Sequence, residues 1–213
     1  MSWSDTIRKQ QKKTLELRLK TTIRKAMKPP PKLTVSEWAD KYRKLSPESS
    51  AEVGAWRTIR AEYQREILDT VSDPKIEAVV IMSCAQVGKT EMLLNLIGYH
   101  VHQSPSPILC IQPTLDMAQT FSKDRLAPML RDSPVLQGKV ADPKSRDSGN
   151  TTLKKSFFGG HITMCGANSP ASLASRPVRV ILADELDRWP VSAGDEGDPY
   201  ELARKRSATF WNR

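Results

Sequence analysis

The sequence predicts an α/β protein built on a mostly parallel central sheet. Three observations point there. An apolar run, Ala78–Met82, passes through a short polar loop into a helical stretch, Met92–Ile97. A second run, Pro107–Ile111, precedes a helical pattern over Leu115–Arg131. A third, Val178–Ala183, ends in Asp184-Glu185. Short runs rich in β-branched residues read as buried strands, and longer helical periods between them act as crossovers. Strand–helix alternation of this kind implies parallel strands with right-handed connections.

In chain order, Ser4–Met27 reads as a helix with Ser4 as its cap and Asp5 in the first turn. Leu15, Leu19, Ile23 and Met27 recur every four residues as an apolar stripe between basic faces, a pattern that calls for a partner. Pro29-Pro30-Pro31 ends it as a stiff spacer. Residues 1–31 are thus expected to form a partner-binding arm and residues 32–213 the main domain. Ser36 is the expected cap of a short helix reaching Tyr42. Residues 45–58 read as irregular, and Ala61–Val71 as a helix stopped by Ser72-Asp73-Pro74. Downstream, residues 132–150 are a polar loop, and Gly159-Gly160 turns a hairpin between Thr151–Phe158 and His161–Gly166. Ala171–Ser175 supplies one helical turn, and Tyr200–Trp211 a last helix.

The chemistry concentrates at two places. Ser83-Cys84-Ala85-Gln86-Val87-Gly88-Lys89-Thr90 lies between an expected strand and an expected helix, the context of a phosphate-binding loop. Unpaired N–H groups at a helix start, together with the helix dipole, attract an anion. Gly88 lets the backbone approach a phosphate, Lys89 neutralises phosphate oxygens, and the Thr90 hydroxyl suits Mg²⁺. Ser83 stands where the usual pattern has glycine and is expected to make a turn that glycine makes more cheaply. Asp184 closes a strand about 95 residues beyond Lys89, so a parallel sheet sets it on the same edge as Thr90 to hold Mg²⁺. Glu185 would polarise the attacking water. Tyr63 and Gln64, upstream of the loop, offer a stacking face and an amide suited to adenine. Together these residues predict an ATP- or GTP-hydrolysing site. His100 and His102 read as ordinary helix-end residues, Asp195, Glu196 and Asp198 as a solvated loop, and Arg176 as a surface ion-pair partner.

Composition narrows the class. The formal charge is +9, of which residues 1–28 supply +7 through nine Lys and Arg against Asp5 and Glu16, leaving the remainder nearly neutral. Cys84, Cys110 and Cys165 are odd in number and without a C-x-x-C pair, which speaks against a disulfide framework or a zinc site. No apolar run approaches membrane-spanning length and no signal-peptide core is present, so an intracellular protein is expected.

The segments WRTIRAEYQREI, AQVGKTE, ILCIQPTLDMAQTFSKDRLAPMLRDSP, GANSPASLASRPVRVILADELDR and GDPYELARKRSATFWNR, in this order, resemble the large subunit of double-stranded DNA phage terminases, lambda-type GpA branch. The resemblance runs from about Ser36 onward. It implies a three-layer P-loop NTPase of the additional-strand type, here incomplete at its C-terminal end. A Ser/Thr-Thr-Pro coupling element would lie just beyond Arg213, and a nuclease domain beyond that. By position it assigns Tyr63 and Gln64 to adenine, Ser83–Thr90 to the Walker A loop, and Asp184 and Glu185 to the Walker B pair. Some members of this branch carry the loop lysine near the start of the loop; here Lys89 holds the standard place. Implied cofactors are ATP and Mg²⁺. Implied partners are double-stranded DNA, the small terminase subunit at the N-terminal helix, the portal and procapsid, and further copies of the chain, all in the host cytoplasm. The alternatives are a related P-loop helicase or translocase, or a truncated prophage remnant that only binds partners.

Overall fold

A computed structural model describes residues 3–27, 31–140 and 150–210. It divides into two compact units, residues 1–32 and 33–213. The first is a single helix, α1 (Trp3–Ala26). Ser4 lies inside it and is therefore not its cap. The stripe residues are exposed, Leu15, Leu19, Ile23 and Met27 each showing half or more of their surface. Pro29 and Pro30 of the expected spacer lie outside the described residues.

In the second unit, α2 (Val35–Tyr42) is capped by Thr34 and not by Ser36. Thr34 and Glu37 form a reciprocal capping box, in which each side chain accepts from the other's backbone N–H. The expected irregular stretch contains a two-residue antiparallel pair, β1 (Lys44–Leu45) with β2 (Gly54–Ala55). A 3-10 turn over Thr58–Ala61 leads into α3 (Tyr63–Thr70).

The expected strand Ala78–Met82 is corrected by the structure. Residues 76–84 form no ladder with any described strand, and Val80 and Met82 are 89% and 99% exposed. Only Val79 and Ile81 turn partly inward, Ile81 onto the main core. An apolar run reports a preference for burial, not the presence of a neighbour to pair with.

Next come α4 (Lys89–His102) and β3 (Ile108–Gln112). Thr114 caps α5 (Leu115–Thr120) as expected, its hydroxyl accepting from the N–H of Met117. The helical path widens into a π-helical stretch over Phe121–Leu126 before α6 (Ala127–Asp132). Pro128 explains the widening: it donates no N–H and its ring crowds the carbonyl four residues back. The hairpin is β4 (Lys154–Phe157) and β5 (Gly160–Gly166), turned at Gly159 with φ 85°. One turn, α7 (Pro170–Leu173), precedes β6 (Val180–Ala183). The last helix, α8 (Pro199–Arg204), gives way to a 3-10 turn at Lys205–Ser207 and is shorter than expected. Asp198, read as part of a solvated loop, caps it.

The sheet runs β4-β5-β3-β6. Both neighbours of β3 are parallel to it, with Ile108 opposite Ile162 and Val180, and β4 is antiparallel to β5. Alternate β3 residues feed two cores. Ile108 and Cys110 join α2, α4 and the α5–α6 path on one face, while Leu109 and Ile111 meet Leu173, Val178 and Leu202 on the other. A fully buried central strand fixes the edge at which β3 and β6 end, and that edge carries Asp184.

Candidate nucleotide-binding site

The left-handed conformations of the loop fall at Gln86 (φ 64°) and at Gly88 (φ 77°), not at Ser83. Glycine is required at 88 for a second reason: a Cβ there would lie 2.7 Å from Nε2 of Gln64. Gly88 stands at the N-cap of α4, and its carbonyl accepts the first helical bond, from the N–H of Met92 at 3.1 Å. The N–H groups of Lys89, Thr90 and Glu91 thus have no helical carbonyl to meet. Lys89 folds back over the loop, its Nζ 3.5 Å from the carbonyl of Ser83. Ser83, Cys84, Ala85 and Gln86 are exposed, and Val87 to Thr90 half-buried.

Tyr63 and Gln64 contact the loop itself. The Tyr63 hydroxyl donates to the carbonyl of Val87 at 3.0 Å, and Gln64 Nε2 donates to the same oxygen at 2.9 Å. Tyr63 is 58% exposed; Gln64 is buried, with Oε1 lacking a partner among the described residues. These two residues of α3 therefore hold the turn just before Gly88.

The acidic half is built on the sheet. The Asp184 N–H donates to the carbonyl of Ile111 at 3.0 Å, extending the pairing of β6 with β3 by one residue. Its carboxylate accepts from Gln112 Nε2 at 3.1 Å, and its carbonyl accepts from Trp189 Nε1 at 2.8 Å. Burial raises the Asp184 carboxyl above its ordinary range, and Glu185 adds to this; the Gln112 bond and the Lys89 charge pull the other way. Glu185 sits in a left-handed turn (φ 48°), its carboxylate accepting from Arg188 at 2.6 Å.

Four residues that pattern reading missed hold the two halves of the site, three at the acidic edge and one on α4. Gln112 is the polar end of an otherwise apolar strand, a signal visible only once its neighbour is known to end in Asp184. Arg188 and Trp189 follow the acidic pair within four residues and fold back on it. Arg43, 3% exposed, donates to Glu91 Oε2 at 2.6 Å and to Asn95 Oδ1 at 2.7 Å. It lies too far from the loop in sequence for any motif to include it. The histidines are structural: His102 Nδ1 accepts from Trp38 Nε1 at 3.0 Å, and the His100 ring donates to the carbonyl of Ser104.

Residues 50–213 match the family described as phage terminase large subunit gpA, ATPase domain. The chain is 30% identical over 178 residues to the terminase large subunit of Enterobacteria phage P21, covering 83% of this chain and 27% of that protein. It is 30% identical over 185 residues to the terminase large subunit of Escherichia phage lambda, covering 86% of this chain and 28% of that protein. The chain thus spans little more than a quarter of the length of these relatives. No solved structure matches it. On the family match and the extent of these alignments, the chain belongs to the phage terminase large subunits, and residues 50–213 correspond to their ATPase domain.

Proposed function

We propose that this chain is the ATPase motor portion of a DNA-packaging terminase, a P-loop NTPase of the additional-strand type that binds ATP between the 83–90 loop and the Asp184–Glu185 edge. The observation that carries this reading is local. A left-handed Gly88 opens α4 directly onto Lys89 and Thr90, whose N–H groups have no helical carbonyl to meet.

The α4 amides and Lys89 would bind the β- and γ-phosphates and stabilise the charge that develops on them during transfer. The Thr90 hydroxyl and Asp184 fit a hard cation: one carboxylate and one hydroxyl, completed by substrate phosphates, is a common Mg²⁺ donor set. A bound Mg²⁺ would neutralise charge on those phosphates. Gln112 keeps one Asp184 oxygen occupied and so fixes how the carboxylate faces the site. Glu185 would orient the attacking water. The exposed Tyr63 and the Oε1 of Gln64, without a partner among the described residues, suit an adenine ring and its amino group.

The partners follow from the family. Double-stranded DNA is the moved substrate, tracked through its phosphates and hence held in a salt-sensitive way. The exposed stripe of α1 would take the small subunit, and packaging would engage a portal on a procapsid through several copies of the chain. The family match favours this reading over a helicase or a non-catalytic remnant, and no described helix is long and apolar enough to cross a membrane. A phage protein of this kind would work in the host cytoplasm. Phosphate release from ATP, compared between wild type and Lys89→Ala, tests the proposal. A clear excess in the wild type is expected, and equal background rates would overturn the enzymatic reading.

A further inference from the structure

Helix α4 is gripped along one face by residues that precede the loop in sequence. Glu91, Asn95, Gly98 and His102 are spaced by four, three and four residues, hence aligned on one side. Each meets α2 or the residue after it. Glu91 and Asn95 accept from Arg43, Gly98 lies under the Trp38 ring, and His102 accepts from Trp38 Nε1. At Gly98 the approach is so close that a Cβ would fall 2.1 Å from the Trp38 ring.

Arg43 is the polar centre of this grip. It is buried and lies over the Trp56 ring, 5.9 Å from its centroid, and both guanidinium bonds found among the described residues go to α4. Its Nε and the Nδ2 of Asn95 have no partner there. A buried ion pair left partly unsatisfied is a poor stabiliser, because desolvation consumes most of its Coulomb energy; such pairs are better suited to fixing geometry. Geometry is what the loop lacks from the sheet. Residues 76–84 pair with no described strand, and the loop is tied instead from α3, at the Val87 carbonyl, and through the register of α4. Glu91 follows Thr90 directly.

We propose that Arg43 is a positioning residue for the nucleotide site: by tying Glu91 and Asn95 it fixes the axial register of the helix whose first turn carries Lys89 and Thr90. This rests on the nucleotide-binding reading of that turn. Displacements of about 1 Å at a site that orients phosphates can lower function about a hundredfold, so a loosened α4 should weaken binding even in a folded protein.

The test separates stability from affinity. The urea midpoint, and the affinity for a fluorescent ATP analogue with Mg²⁺, are measured for wild type, Lys89→Ala, Arg43→Met, Arg43→Lys and the double variant Arg43→Met/Glu91→Met. Arg43→Met strands Glu91 and should lower both quantities. The apolar pair should recover the midpoint yet bind nucleotide about tenfold or more weakly than wild type. Arg43→Lys keeps the charge without the fork and should recover part of the affinity lost in Arg43→Met. Wild-type affinity in the double variant overturns the inference. Should the double variant fail to fold, wild-type affinity in Arg43→Lys does the same. If wild type binds no better than Lys89→Ala, the site reading itself fails, a result distinct from either.

Discussion

At its first turn α4 leaves Lys89 and Thr90 half-buried, with backbone donors that have no helical acceptor, whereas from Leu94 to Gly98 every residue is buried. The outer turn is held by neighbours rather than by a sheet: Gln64 and Tyr63 behind Val87, Arg43 beside Glu91. The body packs into the main core with Leu68, Ile108 and Leu126, and closes at His100 and His102. One helix thus carries a binding end and an anchoring end. Substitutions at the anchoring end should move stability first, and those at the loop end should move nucleotide affinity first.

The largest expected effect lies at the anchoring end. Burial, with a smaller contribution from the Arg179 charge, lowers the His100 imidazole from 6.5 to about 4. The folded state therefore holds this ring neutral where the unfolded chain protonates it. Its contribution to stability is complete above pH 6.5 and is lost progressively as pH falls through 6.5 toward 4. A shift of this size corresponds to about 3 kcal/mol. Urea midpoints measured from pH 7 to pH 4 should fall steeply for wild type, and His100→Gln should remove most of that slope. Equal slopes would show that the acid sensitivity arises elsewhere.

At the loop end, Gly88→Ala should change binding more than folding. The added Cβ meets Gln64 Nε2 at 2.7 Å, and the left-handed backbone strains any residue but glycine. Gln64 must move or the turn must open, and either aims the α4 amides away from a phosphate. A loss of about tenfold in affinity for the fluorescent ATP analogue is expected, about 1.4 kcal/mol. If the variant lost stability but bound nucleotide normally, the contrast between the two ends of α4 would fall.

The same contrast marks what could be read from residues alone. Strands β3 and β6, the hairpin at Gly159 and the Thr114 cap were legible because each is specified within a few residues by apolar runs or turn chemistry. The places of Gly88 and Lys89 at a helix start and of Asp184 at a strand end were legible for that reason too. The pairing of residues 78–82 was not, since an apolar run is silent about which strand lies beside it. The capping box at Thr34 was in view as T-x-x-E but yielded to the nearer Ser36. Arg43 and Gln112 carried no local signal: Arg43 matters through Glu91 and Asn95, 48 and 52 positions away, and Gln112 through Asp184, 72 positions away. The candidate site residues sit on short motifs, while Arg43 and Gln112, which bond to their elements, are brought in by packing across the chain.

Asp184 sharpens the comparison from the sheet side. Its carboxyl is raised from an ordinary value of 3.8, chiefly by burial, so the folded state disfavours the charged form more than the unfolded chain does. The resulting contribution to stability is full below pH 3.8 and is lost as pH rises through the elevated folded value, so at neutral pH the charged carboxylate weighs against folding. Asp184→Asn keeps an oxygen to accept from Gln112 and removes the charge. The variant should therefore show a higher urea midpoint than wild type at pH 7, and the advantage should vanish by pH 3. On the proposed role of Asp184 as a Mg²⁺ ligand, its Mg²⁺-dependent nucleotide binding should fall at the same time. A variant less stable than wild type at pH 7 would mean that the Lys89 charge already offsets the burial of Asp184. The acidic edge would then be as firmly anchored as the body of α4.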